Sequence, residues 1–289
     1  MAAAHGSGSI RTVAFTTPPN YAARLAHLLT LKGFKPLSAP TLIVQPTPST
    51  VAALKPHISP PSLDLFSAVA FPSRTAVAAF SSAAADVPHP LLSPHGDVFT
   101  VAALGKDSEL IDDSFVQKLC PNPDRLRILV PLTATPNALV QSLGDGRGRR
   151  VLCPVPLVVG LVEPPVVPHF LRDLEAKHWV PVRVNAYETR WAGPGCAEKV
   201  VEKIEDGALD AIVFTSTAEV EGLLKSFKEF GLDWETAKRT CPKMLVAAHG
   251  PITAAGAQML GVGVDLVSSQ FGSFQGVVDA LHTEILRLS

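Results

Sequence analysis

Short apolar, β-branched runs alternate with helical patterns along most of this chain. Val13-Ala14-Phe15 opens the series, ahead of a helix predicted from about Tyr21 to Lys32 that stops at Gly33, where a left-handed cap costs least. Two later stretches repeat one pattern. FSAVAFPSRTAV at 66–77 lines up with LDAIVFTSTAEV at 209–220, and each reads as a strand, a serine and a helix start. Further on, VAALG at 101–105 reappears as VAAHG at 246–250, each followed three residues later by a hydroxyl, Ser108 in one copy and Thr253 in the other. Two matches in the same order and nearly the same register point to an internal duplication. Within the second copy, Val220, Leu223, Leu224 and Phe227 fall on one helix face through spacings of three and four.

Strands that alternate with helices imply parallel sheets, covered on both faces, whose strands read as continuous apolar runs. The expected fold class is α/β, with two similar doubly wound parallel-sheet domains joined by a two-stranded connector and the first domain discontinuous. Leu37 to Gln45 and Val182 to Thr189 are extended, have prolines nearby and flank the central copy. They supply the expected connector strands, 41–45 and 182–189. The chain leaves one domain, builds the second and returns, which gives a first domain of 1–40 with 190–289 and a second of 46–181.

Composition narrows the function classes. The 289 residues suit about two domains, and 47% hydrophobic residues with 18% charged ones suit a core-forming protein. A formal net charge of -1, from 25 Lys+Arg against 26 Asp+Glu, argues against a protein that coats nucleic acid with a basic surface. The longest apolar stretch, Val151 to Val167, is interrupted by Pro154, Pro156, Glu163, Pro164 and Pro165, so no spanning helix of about 20 residues is expected, and no membrane partner. Cys120, Cys153, Cys196 and Cys241 lie far apart with no C-x-x-C pair, and read as buried thiols of a reducing compartment, with no metal site among them. The start, Met1 to Ile10, is rich in Ala, Gly and Ser and short, so neither a secretory signal nor an organelle transit peptide is expected in it. GDGRGRR at 144–150 leads into a strand, whereas a phosphate loop follows a strand and opens a helix, so it reads as an exposed turn. Walker-type loops, a G-x-S-x-G elbow and H-E-x-x-H are all absent from the sequence.

In a parallel α/β sheet, ligands bind beyond the carboxyl ends of the strands, where helix starts present N–H groups and positive dipole ends. Ser73, Ser108, Ser216 and Thr253 all fall at predicted junctions of this kind. Each is expected to cap its helix, for about 1 kcal/mol. Together they are expected to offer anion sites on both walls of a cleft, suited to an elongated ligand with several carboxylates.

These residues carry a resemblance. The F-x-S-x-x-x-V helix start in both halves, the G-x-x-[ST] turn after Val-Ala-Ala in both halves, and Tyr187 in NAYET at 185–189 between them are similar to the uroporphyrinogen-III synthase family, from about Thr12 to Leu286. The resemblance implies two α/β domains with a two-stranded connector, no metal or organic cofactor, a monomer, and a small-molecule substrate. That substrate is hydroxymethylbilane, a linear tetrapyrrole with eight carboxylates, which members close into uroporphyrinogen III with inversion of the terminal ring and loss of water. By the same resemblance, Ser73, Arg74, Ser108, Ser216 and Thr253 are the expected substrate-binding residues, and Tyr187 helps the hydroxyl leave as water. The alternative for Tyr187 is a connector tyrosine that packs its ring and wets its hydroxyl.

The chain departs from the family pattern at Ile252, where members often carry a second hydroxyl, and over 154–165, which supplies no cation. Arg74, Lys106 and Arg190 are the nearest substitutes. Two further readings keep the fold: a catalytically silent relative that binds a linear tetrapyrrole or a protein partner, and a binding protein for another small anion. The expected setting is soluble and intracellular, the plastid stroma in a photosynthetic eukaryote and the cytoplasm otherwise.

Overall fold

The structure, a computed structural model, describes residues 10–270 and 272–288. The Ala-, Gly- and Ser-rich start lies outside these residues apart from Ile10. Along the described chain the order is β1 (Thr12–Phe15), α1 (Pro19–Leu31), β2 (Lys35–Ser38), β3 (Leu42–Gln45), α2 (Pro48–Ile58), β4 (Ala68–Phe71), α3 (Arg74–Ala85), β5 (Phe99–Ala103), α4 (Asp113–Leu119), β6 (Leu126–Leu129) and α5 (Pro136–Leu143). It continues with β7 (Arg150–Val159), α6 (Val166–Ala176), β8 (Val180–Trp191), α7 (Glu198–Glu205), β9 (Ala211–Phe214), α8 (Thr217–Glu229), α9 (Trp234–Thr240), β10 (Leu245–Ala248), α10 (Pro251–Met259), β11 (Leu266–Val267) and α11 (Phe274–Leu288). The chain divides into two compact units, one of residues up to Ile43 together with those from Trp191 onward, the other Val44–Arg190.

In the first unit five strands form a sheet in the order β11-β10-β9-β1-β2, with every pair parallel. All four residues of β9 are buried because helices cover both of its faces. Ile212 and Phe214 pack with Val200, Leu223 and Phe227 of α7 and α8, while Ala211 and Val213 pack with Leu25 of α1 and Val277 of α11. The successive residues alternate sides, as a period of two demands, yet neither side meets water, so the strand is written in unbroken apolar letters.

The second unit holds a six-stranded sheet in the order β3-β8-β7-β4-β5-β6. The β4–β5, β4–β7, β5–β6 and β7–β8 pairs are parallel. In β4, Val69 and Phe71 join one core with Phe80 of α3, and Ala68 and Ala70 join the opposite core with Leu139 of α5 and Phe170 of α6. The parallel α/β class is the one the alternation predicts.

The duplication reaches beyond the two matched segments. Read across the sheets, β2-β1-β9-β10-β11 and β8-β7-β4-β5-β6 have the same order and sense, with β3 added outside β8. The chain enters the first arrangement at β1 and the second at β4, so one is a circular permutation of the other. In each sheet the order reverses at one place, between β1 and β9 in the first and between β4 and β7 in the second, where α/β folds build their ligand sites.

Several expectations are corrected. The extended run 37–45 is split: β2 belongs to the five-stranded sheet and β3 to the six-stranded one. Between them Pro40 interrupts pairing and buried Thr41 packs against α8 at Gly222, donating its hydroxyl to the Glu219 carbonyl at 3.0 Å. The run 182–189 is part of a twelve-residue strand, β8, which neighbours β3 but also pairs with β7 from Val180 to Arg190. β3 and β8, which hold the two expected connector segments, are neighbours within that sheet. The strand after GDGRGRR runs on through Pro154 and Pro156 to Val159. β7 pairs with β4 only at Val151 and Leu152, so beyond them that side has no ladder to complete, and the register against β8 shifts between Val155 and Pro156. Of the four free thiols, Cys120, Cys153 and Cys241 are buried, but Cys196 is half-buried, on a 3-10 turn with its Sγ 2.8 Å from Ser226 Oγ. Among the described residues no helix is long and apolar enough to cross a membrane.

Candidate functional site

In the Val44–Arg190 unit the site grows from the carboxyl end of β4. Ser73, in extended backbone, caps α3 by accepting the Ala76 N–H at 3.2 Å, as its place before the helix predicts. Tyr187 comes from β8, with its ring in the core that α3 covers and only 5% of the residue exposed. Its hydroxyl shares a 2.8 Å hydrogen bond with Ser73 Oγ. Arg74, half-buried, donates to the Lys106 carbonyl at 3.3 Å and lies 4.0 Å from Glu109. Asp107 accepts the backbone N–H of Arg74, and burial pushes its carboxyl up to about 6 against the pull of that bond and of the Arg74 charge.

Ser108 differs from its expectation. After β5 the chain forms a 3-10 turn, Gly105–Leu110, instead of an α-helix, and Ser108 sits inside it, donating to the Gly105 carbonyl at 2.7 Å. Gly105 holds a positive φ of 38°, a conformation that starts the tight turn and is open to glycine. Thr253 is likewise no cap: Gly250 occupies that place on α10, and the buried Thr253 donates from the first turn to the Thr215 carbonyl at 3.2 Å. Ile252 beside it is exposed. Lys106 and Arg190 have exposed side chains.

The first unit carries its cluster at the carboxyl ends of β1 and β9. Ser216 caps α8, accepting the Glu219 N–H at 3.4 Å and donating to Glu219 Oε1 at 3.2 Å. The fully buried Glu219 carboxylate also accepts the Thr215 N–H at 2.9 Å, the Thr16 hydroxyl at 2.9 Å and the Thr215 hydroxyl. Burial pushes its carboxyl up, and these hydrogen bonds oppose the rise. Thr17 Oγ1 lies 3.5 Å from Thr215 Oγ1. Ser73, Arg74, Ser108 and Tyr187 are thus gathered in one unit, while Ser216 and Thr253 stand in the other. Glu219, Thr16 and Asp107 were missed at the sequence level, although S-x-x-E at 216–219 is a capping-box spacing that marks Glu219.

A family model described as uroporphyrinogen-III synthase HemD matches residues 23–275. The chain belongs to the uroporphyrinogen-III synthase family. Two solved members share its fold. A mutant uroporphyrinogen III synthase from the extremely thermophilic bacterium Thermus thermophilus is 17% identical, with 94% of this chain and 99% of that one covered and a TM-score of 0.53. The uroporphyrinogen-III synthetase of Helicobacter pylori is 14% identical, with 97% and 100% covered and a TM-score of 0.52. No curated protein matches the chain. The resemblance drawn from the repeated helix starts is therefore that of the uroporphyrinogen-III synthase family, whose activity is of the lyase type. Among the described residues of this family member, no group of three or more His, Cys, Asp or Glu could hold a metal ion.

Proposed function

We propose that this uroporphyrinogen-III synthase family member closes hydroxymethylbilane into uroporphyrinogen III as a monomer, without metal or organic cofactor, around the pair Tyr187 and Ser73. The 2.8 Å hydrogen bond between their hydroxyls carries this reading. It joins the one tyrosine that matches the family's tyrosine to a helix start. Left alone the bilane closes without inversion, so the protein's task is to hold the inverting path by position and charge. Departure of the terminal hydroxyl as water needs a proton. α3 puts partial positive charge beside the phenolic oxygen, the sign that favours giving that proton up.

Arg74 and the α3 start supply positive charge for substrate carboxylates in the same place. Ser108 and Thr253 donate their hydroxyl protons to carbonyls of the protein, and a serine or threonine has one proton to give. On this reading they fix the segments beside the two helix starts. Those inward-turned hydroxyls also favour the second reading, a silent relative that binds a linear tetrapyrrole. Product analysis separates the two. After mixing with freshly generated hydroxymethylbilane, type III isomer in excess over a protein-free control is the expected outcome. Type I alone would move the chain to the silent class.

A further inference from the structure

The two duplicated helix starts are not equivalent. Three residues after the capping serine, the α3 copy has Ala76 and the α8 copy has Glu219. A plain capping box would bring that glutamate back to the N–H of the serine itself. Here it reaches one residue further, to Thr215, and onward to the Thr16 hydroxyl at the end of β1. Donors from two strands and one helix start converge on one buried carboxylate, at the point where the strand order reverses. The protons that an incoming anion would need from Thr215 and Ser216 are already directed at Glu219. A second carboxylate brought there would meet like charge at short range.

We infer that Glu219 is a positioning residue that closes the α8 start to substrate carboxylates by supplying one of its own, so that of the two duplicated starts only that of α3, with Ser73 and Arg74, receives substrate. The substrate part of this inference rests on the function proposed above, and the occupied seat does not. In the α3 copy Ala76 is apolar and the serine hydroxyl turns to Tyr187. The protein carboxylate at that start, Asp107, comes from the turn after β5, takes the Arg74 N–H and not the Ser73 hydroxyl, and has its charge offset by the Arg74 guanidinium.

The test uses the full chain. Glu219→Ala is expected to lower the melting temperature, and sodium acetate is expected to restore part of the loss saturably, while sodium chloride at equal ionic strength does not. Wild type and the isosteric Glu219→Gln, whose seats stay filled, are expected to ignore acetate. A Glu219→Ala protein no more responsive to acetate than wild type overturns the inference. Should that variant fail to fold, KM for hydroxymethylbilane decides. Arg74→Ala is expected to raise KM about tenfold, the loss of one hydrogen bond to a charged group, and Ser216→Ala to leave it unchanged. An equal rise in both overturns the inference while the proposed function stands. Absence of type III product from wild type would instead remove the function, and the acetate titration would still decide the role of Glu219.

Discussion

Tyr187 divides its side chain between two tasks, the ring in a packed core and the hydroxyl on Ser73. Replacing it by Phe keeps the ring, so stability should change little while kcat falls about a hundredfold at nearly constant KM, within the range for loss of a general acid. Steady-state kinetics beside a melting curve checks this, and a fully active variant would remove the hydroxyl from the reaction. Asp107 makes a prediction of another kind. Its carboxyl is raised from 3.8 to about 6 on folding, chiefly by burial, so the folded chain holds that proton more tightly than the unfolded one. A raised carboxyl favours folding most below the unfolded value, and the benefit is lost as pH rises through about 6. Between pH 4 and 7 wild type should therefore lose stability relative to Asp107→Asn; parallel melting profiles would refute it. Ser73 and Ser216 were legible as caps because the serine alone sets that geometry. The partners were not, since Asp107 and Glu219 acquire their settings from Arg74 and Thr16, whose nearness is a product of the fold.

Elements were legible where both faces are covered. β4 and β9 announce themselves through four buried apolar residues each, whereas β7 and β8 are longer than their letters suggest because prolines argue against a strand. That argument holds only for the side of a strand that carries a ladder, and which side that is depends on the neighbour. Close approach between helices was equally hidden. A Cβ on Gly256 would stand 2.0 Å from Thr217 Oγ1, because α10 lies against the start of α8. Gly256→Ala should cost about 1–3 kcal/mol, as overpacking does, whereas Gly263→Ala, with nothing within 4 Å of its Cβ, should be close to neutral. Urea denaturation of the two variants gives the comparison. Thr135→Ala, which removes the side-chain cap of α5 at Ala138, should cost about 1 kcal/mol by the same measurement.

At the scale of the molecule, the repeat revealed two copies but not the shared strand order. Only β4 with β9 and β5 with β10 match in sequence; the other three strand pairs need little more than apolar residues, which many sequences supply. The division has a testable corollary. A fragment of residues 44–190 keeps β4 to β8 and both of their cores, and should fold alone with a cooperative melt followed by circular dichroism. A fragment of 191–289 should not fold until residues 10–43 are added, since β1 lies between β9 and β2. A cooperative melt from 191–289 by itself would contradict the sheet order. The same placement of β1 imposes a timetable during synthesis. Thr12 finds its partner Asp210 a full 198 residues later. On a ribosome adding about 5–20 residues per second, β1 and β2 wait on the order of ten to forty seconds for β9 to emerge. All that time Val13, Ala14 and Phe15 lack the cover they have in the finished protein, while Val44–Arg190 is made and has time to collapse first. These residues are thus made long before they are sheltered, and for that interval they are the natural hold for a chaperone.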